Sequence, residues 1–424
     1  MTNLFNGCRL PEEIDLSNMD WTSVTAIGGI FSNNPGLKYV NLDGVKCNTN
    51  VWGFIEHLLS IPTMEKIDFS KNTMSSSYSR GTNSYPGSIT VYPNCVNLKE
   101  LILPNAYISI NCPATFFSGA PLEVLKLGTL NSGSSFYDTN RYRYSSTCSG
   151  RTTLREFSVK TMYFPHANAN LNAFFQNCSN LETFDMSTVD TSLNSTIAAM
   201  FSGCSKLTNI DLSWMKTNSV TSMANLFQNC SSMTSFNIDN FNYEQTTTIA
   251  YMFSGCKSLV SPKLKIGNAP VLTNATYLFN GCTGLKSVDL TEANLSLITS
   301  LAYWFNGCTG LETMNLSYLN VPKATNFTYM FNGCSNLKEV DLTFINSAAN
   351  VNASYMFQNC INLTKIDIRN WQINKITTSS NYTGIFNNVP VGCQIIVKDE
   401  DCRTWVKNKK STFNNIVLAS ELEG

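Results

Sequence analysis

From Asn177 to Ile366 the apolar positions of the chain return every 26 residues without drift. A phenylalanine column runs from Phe175 to Phe357. A cysteine column follows three residues later, from Cys178 to Cys360, and an apolar column three after that, from Leu181 to Leu363; each has eight members. A fixed period of about 20–50 residues marks a repeat array. Residues 275–290 show what one unit folds into. Ala275, Leu278, Phe279 and Cys282 fall at i, i+3, i+4 and i+7, one face of a short helix. Gly281 and Gly284 keep that helix short. Val288 and Leu290 alternate with polar Ser287 and Asp289, the period of a half-buried strand. Each unit therefore reads as a helical turn, a tight bend and a short strand. A unit this small cannot bury its own apolar side. Stacking supplies the core and predicts an α/β solenoid, with a parallel sheet on one face and short helices on the other.

The best-preserved units, MFSGCSKLTNIDLS at 200–213 and MFNGCSNLKEVDLT at 330–343, carry a wider likeness. Their pattern resembles the repeat of the BspA-like leucine-rich-repeat family of bacterial surface proteins. The likeness is strong over 173–370 and degraded over 1–172. It implies a right-handed solenoid of leucine-rich-repeat type used for adhesion or recognition, and it brings no catalytic residues.

The period divides the chain into four parts. Residues 1–60 hold two repeats, led by Phe5 to Cys8 and by Phe31 to Asn34. Nothing polar caps the first coil, so that end is expected either to meet another chain or to follow an earlier segment. Residues 61–172 lose the strict step. Strands are still read at 67–69, 101–103, 125–127 and 157–159, interrupted by insertions at 71–92 and 128–150. Both insertions follow a strand and should leave the stack at one edge, their bases about 10 Å apart. Residues 173–370 are the regular array. In 371–424, residues 394–397 read as a last strand. Asp399 reads as the N-cap of a closing helix with Cys402, Trp405 and Val406 on its apolar face, and 413–418 as a final strand.

Charge changes the picture by exclusion. Only 14% of the 424 residues are charged, and 29 basic side chains balance 29 acidic ones. Phosphate binding needs a basic stripe, so a nucleic-acid partner is not expected. No run of 18 apolar residues occurs, so no membrane span is expected. No charged and apolar leader opens the sequence. A cell-surface protein whose leader and anchor have been removed fits this, and so does a virion component assembled in the cytoplasm.

The 15 cysteines raise disulfides and metals. Ten stand at the repeat position, counting Cys8 and Cys95, and Asn34 fills that position in one early coil. Pairwise bonds would break the equivalence of the coils. Buried free thiols, acting as small apolar residues, suit the pattern better than a disulfide ladder. No C-x-x-C occurs, and His57 and His166 are the only histidines, so no metal or other cofactor is expected. Nucleophile-elbow, P-loop, zincin and dinucleotide signatures are absent, and no enzymatic activity is expected.

Three features remain as candidate chemistry. The first is an aspartate column, Asp185, Asp211, Asp289, Asp341 and Asp367, interrupted by Asn237, Lys263 and Asn315. A solvated sheet face, hydrogen-bonded to neighbouring turns, explains it better than a cation site. The second is a tyrosine column, Tyr251, Tyr277, Tyr303, Tyr329 and Tyr355. On a helical wheel Tyr277 lies about 200° from Ala275, away from the buried face. Such tyrosines could stack on sugar rings, join a protein interface, or pack on one another. The third is the pair of insertions, rich in Ser, Tyr, Asn and Gly like antibody loops. There Arg141, Tyr142, Arg143 and Tyr144 are the expected anchor, flanked by Tyr78, Tyr85 and Tyr137. The expected function is non-enzymatic recognition of a protein or glycan partner on a bacterial cell surface. A phage structural or receptor-binding component and a plain structural spacer are the alternatives.

Overall fold

The computed structural model describes residues 3–24, 29–47, 51–72, 95–109, 119–131, 144–163, 170–345, 351–372 and 378–422. They form two compact units, Met1–Ser195 and Thr196–Gly424.

The first unit contains β1 (Glu13–Asp15), β2 (Asp20–Trp21), β3 (Tyr39–Asn41), β4 (Lys46–Cys47), α1 (Val51–Leu59), β5 (Lys66–Asp68), β6 (Glu100–Ser109), β7 (Val124–Asn131), β8 (Glu156–Tyr163) and β9 (Thr183–Asp185). Seven of these strands build one parallel sheet in the order β1-β3-β5-β6-β7-β8-β9, and β2 pairs with β4. The register aligns the apolar residue of each coil: Ile14 with Val40, Ile67 with Leu101, Leu125 with Phe157, and Phe157 with Phe184. The strands expected at 67–69, 101–103, 125–127 and 157–159 are β5 to β8. Three of them run on to 8 or 10 residues, with a register shift between Leu103 and Tyr107. α1 has no counterpart in the sequence reading. It stands where the next repeat turn would come.

The second unit carries β10 (Asn209–Asp211), β11 (Ser235–Asn237), β12 (Thr313–Asn315), β13 (Glu339–Asp341), β14 (Lys365–Asp367), β15 (Gln394–Val397), α2 (Glu400–Lys409) and β16 (Ile416–Leu418). All pairings are parallel, and each step inside the regular array is one 26-residue period, as in Ile210 with Phe236 and Met314 with Val340. The C-terminal cap follows its sequence signals. Asp399 accepts a hydrogen bond from the Cys402 amide at 3.0 Å, which meets a donor the first helical turn leaves open. Cys402 and Val406 are buried, and Trp405 meets Tyr382 edge-on with centroids 5.1 Å apart.

Opposite the sheet, the expected short helices are chains of turns. Hydrogen bonding there alternates. Ala199, Phe201 and Gly203 donate to the next coil, at Ala224, Leu226 and Gln228. Met200, Ser202 and Cys204 donate three residues back within their own turn. A helix would send every N–H back along the chain. The alternation requires left-handed backbone at two places per coil, with φ of 54° at Ala199 and 79° at Gly203. That explains the residue before each cysteine: Gly or Asn, the types that adopt this conformation most readily.

The core lies between turns and sheet. Phe201, Phe227, Phe253, Phe279, Phe305, Phe331 and Phe357 are buried and stack one on the next with centroids 5.4–6.1 Å apart. The cysteines from Cys178 to Cys360 are free and buried. Their thiols point back one coil. Cys282 Sγ donates to Phe253 O at 3.1 Å, and Cys308 Sγ to Phe279 O at the same distance. Burial pushes the Cys282 thiol up to about 12. Asn34 does the same work where no cysteine stands: its Nδ2 donates to Phe5 O at 2.8 Å, one coil back. The column needs a small donor aimed at that carbonyl, which cysteine and asparagine both supply.

Candidate recognition surface

The sheet face spends its polar groups on itself. Asp211 Oδ1 accepts from the Ser213 amide at 2.9 Å and Asp289 Oδ1 from the Thr291 amide at 2.9 Å; Asn315 and Ser317 repeat the arrangement. Each carboxylate closes the turn that ends its own strand. The amide and hydroxyl of Ser187 and of Ser213 hold the carboxyls of Asp185 and Asp211 below the usual carboxylate range, and the hydroxyl and amide of Thr291 do the same for Asp289. Charges of opposite sign also pair between neighbouring coils within each unit. Lys38 pairs with Glu12 at 2.9 Å, Lys99 with Glu65 at 2.7 Å and Lys286 with Glu312 at 2.9 Å. Exposed pairs of this kind add little stability. Among the described residues no group of His, Cys, Asp or Glu is arranged to hold a metal ion.

The turn face differs. Tyr251, Tyr277, Tyr303, Tyr329 and Tyr355 occupy the first left-handed position of their coils, with φ between 57° and 61°. Other coils place Ala173, Ala199, Asn225 or Gly384 in left-handed backbone there. For a bulky residue that conformation costs on the order of 1 kcal/mol. The five rings are half-buried and stacked in one file, at 4.3, 4.3, 4.8 and 4.8 Å, within 16° of parallel. Offset stacking of this kind returns about 0.5–1.5 kcal/mol per pair, which offsets the strain. At one end Gly384 lies against Tyr355, where a side chain would meet the ring at 2.6 Å. Burial, and then the neighbouring phenols, raise the Tyr277 phenol above its ordinary value. Alongside runs an amide ladder: Asn306 Nδ2 donates to Asn280 Oδ1 at 2.7 Å and Asn332 Nδ2 to Asn306 Oδ1 at 2.7 Å. Ring faces within the file are taken by neighbouring rings, so the surface presents ring edges, hydroxyls and amides.

The insertions give less. Tyr78, Tyr85, Tyr137, Arg141, Tyr142 and Arg143 lie outside the described residues. Tyr144 is a correction. It is fully buried, the N–H of Thr147 donates to its carbonyl at 3.3 Å, and it stands where the next coils place core residues such as Leu171. The chain has re-entered the stack by this point, so Tyr144 cannot belong to an exposed anchor. The sequence reading also missed His57, whose Nε2 accepts the Phe31 amide at 3.0 Å; His166 lies outside the described residues. No single-residue signal marks that role, because it depends on α1 replacing a turn.

Two matches to one family model, over 169–289 and 273–391, together span more than half of the chain. The family is described as "Mycoplasma protein of unknown function, DUF285". The chain belongs to this family. The matched residues are the regular array of 26-residue coils and its tyrosine file. No curated protein matches the chain. Among solved structures, the pneumococcal vaccine antigen PcpA is similar at 16% identity and a TM-score of 0.36, covering 76% of this chain and 77% of its own. An internalin of Listeria monocytogenes, InlF, is similar at 16% identity and 0.26, covering 90% and 86%. A leucine-rich-repeat protein of Leptospira interrogans is similar at 12% and 0.24, covering 98% and 95%. Likenesses this distant carry nothing about what the chain binds. Among the described residues no helix is long and apolar enough to cross a membrane.

Proposed function

We propose that the chain is a non-enzymatic recognition protein of a bacterial surface, of BspA-like type, which binds a protein partner along the tyrosine file from Tyr251 to Tyr355. One observation carries the reading. Five tyrosines stand in strained backbone at a position where the same fold accepts alanine, asparagine or glycine. The core does not require them, because the phenylalanine file behind them is already closed. Tyrosine edges and hydroxyls are common at protein interfaces, where they give large contact area at low entropic cost. A glycan partner fits less well, since stacking on sugars needs open ring faces and those within the file are taken.

The test replaces Tyr277, Tyr303 and Tyr329 together by asparagine, the residue found in left-handed backbone at Asn225. Retention is then measured on immobilised extracellular-matrix proteins and on a glycan array. The expected result is an unchanged circular-dichroism spectrum with protein binding lowered at least about thirtyfold, the loss of one hot-spot contact. A folded triple variant that binds like the parent would end this reading. It would move the site to the insertions at 71–92 and 128–150, with Tyr78, Tyr85, Tyr137 and Arg141 to Arg143 as the residues to vary next.

A further inference from the structure

In a regular coil the amide of the phenylalanine donates to the next coil: Phe5 N–H to Ile30 O at 2.9 Å, Phe227 N–H to Met252 O at 2.9 Å. The coil after Phe31 offers no such carbonyl. There α1 (Val51–Leu59) stands, and helix carbonyls accept from amides four residues on. A side chain meets the donor instead: Phe31 N–H donates to His57 Nε2 at 3.0 Å. The imidazole lies along the Phe31 ring, centroids 6.4 Å apart and 16° from parallel. To accept this bond Nε2 must keep its lone pair, so the ring is neutral with its proton on Nδ1.

Protonation would turn that acceptor into a second donor facing an N–H. The surroundings do not favour the charge. His57 sits on the wall of a cavity of about 600 Å³ between the second coil and the end of α1. Among the described residues, the rest of that wall, at 31–35 and 60–63, contains no carboxylate and no ammonium. Burial holds the imidazole below its ordinary 6.5. One influence opposes this: the C-terminal end of α1 favours a cation in its last turn. That effect is smaller than the loss of an acceptor combined with burial of a charge.

We propose that His57 is an acid-sensitive latch, which joins the second coil to α1 while neutral and lets the two part when protonated. The sign follows from linkage. The folded imidazole titrates below the unfolded one, so the unfolded chain binds more protons as the solution acidifies. The latch is complete above about pH 6.5 and is lost as pH falls below it.

The test uses the full chain. His57 and His166 are its only histidines, so His166→Gln leaves one imidazole to follow by nuclear magnetic resonance. Its titration midpoint is expected below 6.5. The Phe31 amide protection factor is expected to drop about tenfold between roughly pH 7.5 and 5, the effect of one stranded buried donor. In His57→Gln, whose side-chain oxygen accepts a hydrogen bond at every pH, that protection should stay flat. An imidazole midpoint at or above 6.5, steady Phe31 protection in the parent, or an equal drop in His57→Gln would each overturn the latch. If His57→Gln does not fold, the first two measurements decide without it.

Discussion

Replacing Phe279 by alanine tests the stack where it is most regular. The ring is fully buried and lies between Phe253, at 5.4 Å and 7° from parallel, and Phe305, at 5.9 Å and 1°. Truncation removes its contacts with both neighbours and leaves a cavity. The coils cannot close that cavity, because their spacing is fixed on either side by amide ladders and by the thiols of Cys282 and Cys308. The expected loss is about 3–5 kcal/mol. The assay is urea unfolding of the full chain followed by circular dichroism. Its m-value must match the parent's, since repeat arrays can lose two-state behaviour and a changed m would spoil the comparison. A double-mutant cycle sharpens the test. Phe279→Ala with Phe305→Ala should show a coupling of about 0.5–1.5 kcal/mol, the ring–ring part of the loss. Phe279→Ala with Phe357→Ala, three coils away, should be additive. The reasoning fails if the single loss is below about 1.5 kcal/mol, or if it is no larger than that of Tyr277→Ala.

Two further outcomes follow from the columns. Cys282 and its neighbours, buried and with the Cys282 thiol raised to about 12, should resist iodoacetamide in the native protein; unfolding without reductant should expose every column thiol to it, and any that still need reductant would reveal disulfides. Asp211, its pKa lowered by the Ser213 amide and hydroxyl, contributes stability that is present above 3.8 and lost as pH falls below it. Asp211→Asn should keep the neutral-pH urea midpoint, as Asn237 and Asn315 close the same turn, and should flatten its decline between about pH 4 and 2; an unchanged acid limb would show that the turn is not what lowers the carboxyl.

The period made much of this legible. Phe, Cys and Leu recur because stacking gives each an identical neighbour, so the register from Asn209 to Asp211 onward could be read before any coordinates. The closing helix could be read for another reason: Asp399, followed by Glu400 and Asp401 in the first turn, is a local signal. The turn conformation could not. Ala275, Leu278, Phe279 and Cys282 mimic a helix face, yet the amide of Tyr277 goes to the next coil, at Ala302 O. Helical periodicity describes which side chains face inward; it does not say where the N–H groups go. Tyr144 was misplaced because an insertion's end was set by composition, whereas burial set it. α1 escaped because 51–59 interrupts the period at a single coil.

On the turn face the hydrogen bonds between coils have a direction. The amides that leave their own turn donate toward the C-terminus, and thiols such as those of Cys282 and Cys308 donate toward the N-terminus. At the last regular coil the amides of Tyr355, Phe357 and Asn359 end on Thr383, Ile385 and Asn387. That segment serves as a terminator supplying acceptors at the spacing any coil would supply. A gene could therefore gain or lose a whole 26-residue unit inside the array without altering either end, and each such event would change its length by about 4.8 Å. Reach, for a protein built this way, can be inherited in discrete steps.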